Sequence, residues 1–247
     1  MDLKFTVITP SLNQGIYIRD TIETVLDQNY NNIEHIIIDG CSTDSTLQIL
    51  KEYPQLIWIS EPDRGAANAI NKGIKMAKGE IISWLNSDDY YDKNVLRDIA
   101  EIFWKNKEID FVYGNLTFVD ENKKLIRIDK TEKYDIDYLI HKDPNIIRQP
   151  CTFFRKKLLD KVGLLDEELK CVFDYDLFLR MLRITNPYYI NKNITFYRDY
   201  KNTLTRKYIR LQGSEIIKVA RKNGAKITDK IILSSFIKKK LFPFLFY

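Results

Sequence analysis

The 247-residue sequence predicts a doubly wound α/β domain, a mostly parallel sheet flanked by helices on both faces, with a small helical extension at the C-terminus. Three observations support this. Short apolar, β-branched runs alternate four times with segments of helical spacing. Each run closes on a polar cluster. Such clusters stand where a doubly wound sheet binds ligands, at the carboxyl ends of its strands.

The elements follow in order. Phe5 to Thr9 is a buried-strand run that stops at Pro10. Ile16, Ile18, Ile22, Val25 and Leu26 recur at helical spacing. Ile33 to Ile38 is the second strand and ends on Asp39-Gly40. Ser42 and Asp44 read as caps of a helix that runs to about Glu52. Leu56 to Ser60 is the third strand, Pro62 to Gly65 a turn, and Ala66 to Lys78 a helix ended by Gly79. Glu80 to Leu85 is the fourth strand and runs into Asn86-Ser87-Asp88-Asp89.

The second half is less regular. Asp110 to Val119 and Lys124 to Ile128 read as paired strands, and Cys151 to Phe154 as a short one. Phe173 to Ile184 is an apolar-faced helix. Tyr188 to Ile190 and Ile194 to Tyr197 read as two strands, and Arg206 to Lys222 as a long basic helix. The expected division is a domain over 1–205 and an extension over 206–247.

Composition narrows the function classes. Apolar residues make up 45% and charged residues 30%, which is ordinary for a globular chain and argues against disorder. A net charge of +5 suits anionic phosphates or an anionic membrane, and no nucleic-acid motif accompanies it. Three widely spaced cysteines and two histidines argue against a disulfide framework and a structural zinc. With no signal-like segment and no apolar run of about 20 residues, a cytoplasmic protein is expected.

Five segments, in order, resemble the family 2 inverting glycosyltransferases that build bacterial capsule and lipopolysaccharide sugars. They are Thr9 to Asn13, Ile38 to Asp44, Glu61 to Gly65 with Asn71-Lys72-Gly73, Trp84 to Asp89, and Asp174 to Leu177. Each is moderately specific alone; their order makes the set specific. The resemblance implies a GT-A-type, Rossmann-like fold, a UDP-sugar donor and Mn2+ or Mg2+. It also implies a saccharide acceptor, with a lipid-diphosphate carrier the expected form.

The resemblance also assigns roles. Asp89 would bind the metal, and Asp88 the ribose or a metal-bound water. Adjacent carboxylates on a strand-end loop suit a hard cation, though an Asp-Asp pair alone is more often a surface turn. Asp39 would accept from the uracil, with Pro10 and Asn13 edging the base. Arg64 would reach a phosphate or else be a surface arginine. Asp174 matches the catalytic base, with Asp176 the alternative; acids opening a helix are the bland explanation of both. Gln149 would face the acceptor.

There are departures from the family pattern. Cys41 stands where glycine is common, and little effect is expected. Asn68 stands where aspartate is common. Tyr200 occupies the place of a frequent histidine, which puts the usual metal or diphosphate contact in doubt. Arg198 is a weaker candidate for a phosphate.

Other classes fit less well. A dinucleotide oxidoreductase wants G-x-G-x-x-G after the first strand, and this chain has Pro10-Ser11-Leu12-Asn13-Gln14-Gly15. A nucleotidyltransferase-like enzyme and a non-catalytic membrane or nucleotide-binding module remain alternatives. The basic, aromatic tail from Phe236 to Tyr247 suits either an anionic inner membrane face or packing against the protein itself.

Overall fold

The computed structural model describes residues 3–131, 134–201 and 203–241, with the side chains of Leu204 and of residues 236–241 left aside. The chain runs β1 (Phe5–Ser11), α1 (Ile18–Leu26), β2 (Ile33–Asp39), α2 (Thr46–Lys51), β3 (Ile57–Ser60), α3 (Ala66–Met76) and β4 (Ile81–Trp84). It continues with β5 (Tyr90–Tyr91), α4 (Val95–Lys105), β6 (Phe111–Val119), β7 (Leu125–Asp129), α5 (Ile136–His141), β8 (Thr152–Arg155) and α6 (Lys157–Val162). The last elements are α7 (Phe173–Leu182), β9 (Tyr188–Arg198), α8 (Leu204–Lys207), α9 (Ile209–Lys222) and α10 (Lys230–Leu241).

All strands join one sheet in the order β3-β2-β1-β4-β8-β6-β9-β5, with β7 beside β6. The four N-terminal strands are parallel, as expected. β8 enters antiparallel to β4, and β6 antiparallel to β8. β6 therefore points the same way as β4, and β9 lies parallel to β6. The carboxyl ends of β1, β2, β3, β4, β6 and β9 consequently share one edge.

Side-chain alternation sorts the core onto two faces. Ile8, Ile36, Ile38, Ile82, Trp84 and Phe154 point to one face and pack with Ile70 and Ile74 of α3 and Phe178 and Met181 of α7. On the other, Phe5, Val7, Ile81 and Phe153 meet Val95, Ile99 and Phe103 of α4. Ile37 shares that second face and packs with Ile18, Ile22, Ile49 and Leu50 of α1 and α2. Each such side chain, fully buried, contributes about 1.5–3 kcal/mol. Ile216 and Val219 of α9 and Ile231 and Ile232 of α10 pack into the first face's core.

Several expectations change. β1 runs through Pro10 to Ser11. Its ladder with β4 ends at Ile8–Trp84, so the missing N–H of Pro10 falls beyond it. The two strands expected around Asn191-Lys192-Asn193 are one, β9, whose register with β6 shifts there. The long basic helix breaks at Tyr208 into α8 and α9. α4, built on Val95, Leu96, Ile99, Ala100 and Phe103 at helical spacing, is an element the sequence reading missed.

Gly79 does not cap α3, which stops at Met76. Its N–H donates to Thr6 Oγ1 at 2.9 Å and Glu34 Oε1 at 3.1 Å, and an added Cβ would lie 2.5 Å from the Thr6 amide nitrogen. The glycine allows β4 to start against β1. Gly79→Ala is therefore expected to lower stability by about 1–3 kcal/mol. Urea unfolding should show an earlier midpoint at unchanged slope.

Candidate active site

Three strand ends meet in register at the carboxyl edge: Ser11 opposite Asp39, and Asp39 opposite Ser60. Asp39 is fully buried. Its carboxylate accepts from the Ser42 amide (2.9 Å), the Ser42 hydroxyl and the Ser60 hydroxyl (2.6 Å). Ser42 thus braces Asp39 and does not cap α2. Asp44 does take the capping role, accepting from the Thr46 amide at 2.9 Å and from Gly15 N at 2.9 Å. The Ser11 hydroxyl is buried beside this group without a hydrogen-bond partner among the described residues.

Asn13 joins the loop after β1 to the loop after β2. Its amide donates to Ser42 Oγ at 2.7 Å, and its side-chain oxygen accepts from Thr43 N at 2.8 Å. It sits at φ 53°, a left-handed conformation that asparagine tolerates. Cys41 also lies there, at φ 66°. For cysteine that conformation costs about 1–2 kcal/mol, so its replacement of a common glycine is not neutral.

The acid pair stands just past β4. Asp89 is fully buried, and its carboxylate accepts from the Arg198 amide at 3.1 Å and Asn86 Nδ2 at 3.1 Å. Asp88 is half-buried and accepts from the Tyr200 hydroxyl at 3.0 Å. Burial raises both carboxyls above the usual range, and for Asp89 the neighbouring Asp88 adds to the rise.

Arg198 lies behind this pair, 1% exposed. It donates to the Asp88 main-chain oxygen at 2.9 Å and pairs with Asp20 of α1. Tyr17 and Tyr90 lie 4.7 and 5.0 Å from its guanidinium. Its charge is committed inside the protein, so the expectation of a phosphate contact gives way to a bracing role. Tyr200 packs against Tyr17, with ring centroids 5.2 Å apart. The departure from histidine therefore places a hydroxyl on Asp88. Tyr17 and Asp20 were missed from sequence; a tyrosine and an acid on an amphipathic helix carry no distinguishing signal.

The other predicted residues take separate places. Gln149 is 9% exposed and donates to the Trp84 carbonyl at 2.7 Å, fixing the 149–151 turn against the strand that leads to the acid pair. Arg64 pairs with Glu167, which also accepts from Asn68 (2.9 Å) and Asn71 (3.0 Å). An aspartate at 68 would repel Glu167, which accounts for the asparagine. Asp176 is buried and holds Arg180 at 2.9 Å; Arg180 also donates to the Leu164 carbonyl at 2.9 Å, so Asp176 braces the loop before α7. Asp174 is partly accessible at the start of α7, accepting from the Tyr175 amide at 2.8 Å. Burial pushes its pKa up to about 6, against backbone hydrogen bonds that lower it.

The acid pair offers hard oxygen ligands on adjacent carboxylates, so a divalent cation fits. Among the described residues no group of three or more His, Cys, Asp or Glu is placed to hold a metal. A cation here would complete its shell with ligand oxygens and water.

The family model for glycosyl transferase family 2 matches residues 6–163. The chain belongs to that family. It is 33% identical over 196 residues to an uncharacterized glycosyltransferase of Rickettsia typhi, covering 74% of this chain and 60% of the relative. The chain thus spans under two thirds of that relative's length. Over 101 residues it is 43% identical to the putative teichuronic acid biosynthesis glycosyltransferase TuaG of Bacillus subtilis, covering 39% of this chain and 40% of TuaG. Among solved structures, S. aureus TarS 1-349 in complex with UDP-GlcNAc aligns at TM-score 0.69 and 21% identity, over 96% of this chain and 72% of that one. A Pyrobaculum calidifontis mannosyltransferase in complex with GDP-Man and Mn2+ aligns at 0.66 and 16%, over 98% and 71%. The fold is the GT-A type that the five segments imply.

Two stability effects follow. Cys41→Gly should stabilise by about 0.5–1 kcal/mol, because relief of the left-handed conformation exceeds the entropy glycine adds to the unfolded chain. Arg198→Met should destabilise by about 1–3 kcal/mol, since it leaves the Asp88 carbonyl without its donor and removes one of the two cations that Asp20 holds. Denaturant titration of both variants reads the two signs.

Proposed function

We propose that this chain is an inverting, metal-dependent glycosyltransferase. It moves a hexosyl or N-acetylhexosaminyl group from a UDP-sugar to a hydroxyl of a saccharide acceptor carried on a lipid diphosphate, in bacterial surface polysaccharide synthesis. Residues 1–205 form the transferase domain and 206–247 its extension, working at the inner face of the cell membrane. The observation that carries this reading is the shared sheet edge: Asp39 at the end of β2, Asp88–Asp89 after β4, and no competing phosphate-binding glycine loop after β1. The TuaG name and the UDP-GlcNAc complex of TarS support the donor and the pathway class. The basic, aromatic tail, residues 236–247, for which membrane contact and packing against protein were both open, lies outside the described side chains.

In this reading Asp39 receives the uracil, with Pro10 and Asn13 shaping the base pocket. Asp88 meets the ribose, and Asp88 and Asp89 hold Mn2+ or Mg2+. When bound, the cation neutralises charge on the diphosphate leaving group. Asp174, the more accessible of the two candidate acids, takes the proton from the acceptor hydroxyl. The acceptor oxygen bonds to the anomeric carbon as the bond to diphosphate breaks, its electron pair leaving with the diphosphate. Asp176 keeps α7 in place, and Gln149 shapes the acceptor side. Arg64 reaches a donor phosphate only if its pair with Glu167 opens.

The test is a donor panel of UDP-glucose, UDP-galactose, their N-acetyl forms and GDP-mannose, with manganese or chelator. UDP release should need metal and be lost in Asp89→Ala. Asp174→Asn should cut transfer about 10²–10⁴-fold while keeping UDP binding. An Asp174 base works only unprotonated, so kcat/KM should climb tenfold per pH unit below about 6 and level above it. The same carboxyl gives the opposite sign for stability: unfolded, it loses its proton near pH 3.8, so its contribution to stability falls between about pH 4 and 6. UDP that fails to bind with manganese present would end the UDP-sugar reading.

A further inference from the structure

The β6–β7 hairpin carries a surface that the candidate site does not use. β7 pairs with β6 and with no other strand among the described residues. Four of its five residues are exposed, including Leu125 (58%), Ile126 (48%) and Ile128 (43%). A single exposed apolar residue is ordinary; three within four positions of an edge strand form a sticky border that proteins usually blunt.

Cations share this border. Lys123, Lys124, Arg127 and Lys130 are all exposed, against Glu121 and Asp129, giving +2 over residues 121–130. Lys123 pairs with Asp20 and Arg127 with Asp129. Lys124 and Lys130 form no ion pair among the described residues. Apolar side chains interleaved with basic ones match the headgroup layer of an anionic bilayer, where aliphatic groups enter the acyl boundary and cations meet lipid phosphates. Self-pairing of β7 fits less well. An antiparallel pairing centred on Arg127 would set two guanidinium groups face to face.

The hairpin's position is consistent with this. Its turn is tied through Lys123 to Asp20, which also holds Arg198 behind the acid pair. Its far end is tied through Asp129 to Arg148, next to Gln149. The apolar border therefore flanks the region between the acid pair and the 149–151 turn.

We propose that the β6–β7 hairpin docks the protein on an anionic phospholipid surface. This stands apart from the donor chemistry and from the C-terminal tail, since it needs neither.

The test is co-sedimentation of the full chain with vesicles of phosphatidylcholine alone or mixed with phosphatidylglycerol. Wild type should bind the mixed vesicles and lose binding as salt rises. Each cation near an anionic leaflet strengthens binding about fivefold, so Lys124→Glu with Lys130→Glu should weaken it at least tenfold. Leu125→Ser with Ile126→Ser and Ile128→Ser should do the same on mixed vesicles. Both variants should keep the wild-type thermal transition and vesicle-free UDP-sugar hydrolysis. Mixed-vesicle binding that both variants retain would overturn the proposal and place attachment elsewhere. So would an apolar variant that turns a dimer into a monomer by light scattering without changing vesicle binding, which would make β7 a face between copies. Loss of hydrolysis in wild type would strike the transferase reading and leave this one intact.

Discussion

Arg198, through its main chain and its buried guanidinium together, ties the acid pair to the rest of the fold. Two adjacent carboxylates beside a hydrophobic strand repel each other and resist burial. Arg198 answers this from the far end of the chain. Its main chain donates to Asp89, its side chain holds the Asp88 carbonyl, and its second arm reaches α1 through Asp20. Tyr17 and Tyr90 take the place of the water that the charge has lost. The pair is thus fixed in direction.

Two acidic groups stand at the carboxyl edge, and a third acid stands apart on α7. Asp39 is held by hydrogen bonds from Ser42 and Ser60. Asp88 and Asp89 offer charge. Asp174, on a helix rather than a strand, has its proton affinity raised by burial.

Much of this was legible in the sequence. The four strand–helix alternations give the parallel half of the sheet, because buried parallel strands need apolar runs and helices need their own period. Asp39, Asp88 and Asp89 are legible because they fall where those runs end. The antiparallel half was only partly legible. β9 hides behind Asn191-Lys192-Asn193, whose polarity interrupts the pattern while a register shift keeps the ladder. Ser42 read as a cap because serine ahead of a helix usually is one; its bond to Asp39 is tertiary. Arg198, Tyr17 and Asp20 form one cluster from three distant segments, which local pattern cannot reveal. Cys41 was expected to matter little because cysteine is a small replacement for glycine, but its cost lies in a left-handed backbone angle that size does not report.

That Arg198 stands 109 residues beyond Asp89 has a consequence for the life of the chain. β1 to β4 comprise neighbouring segments and can settle early, whereas contacts of long sequence separation form late. During synthesis the acid pair emerges well before the residue that orders it. The half-made protein therefore has a sheet without a defined charge site. A chain cut short before β9 would lack every contact that Arg198 makes with Asp88, Asp89 and Asp20.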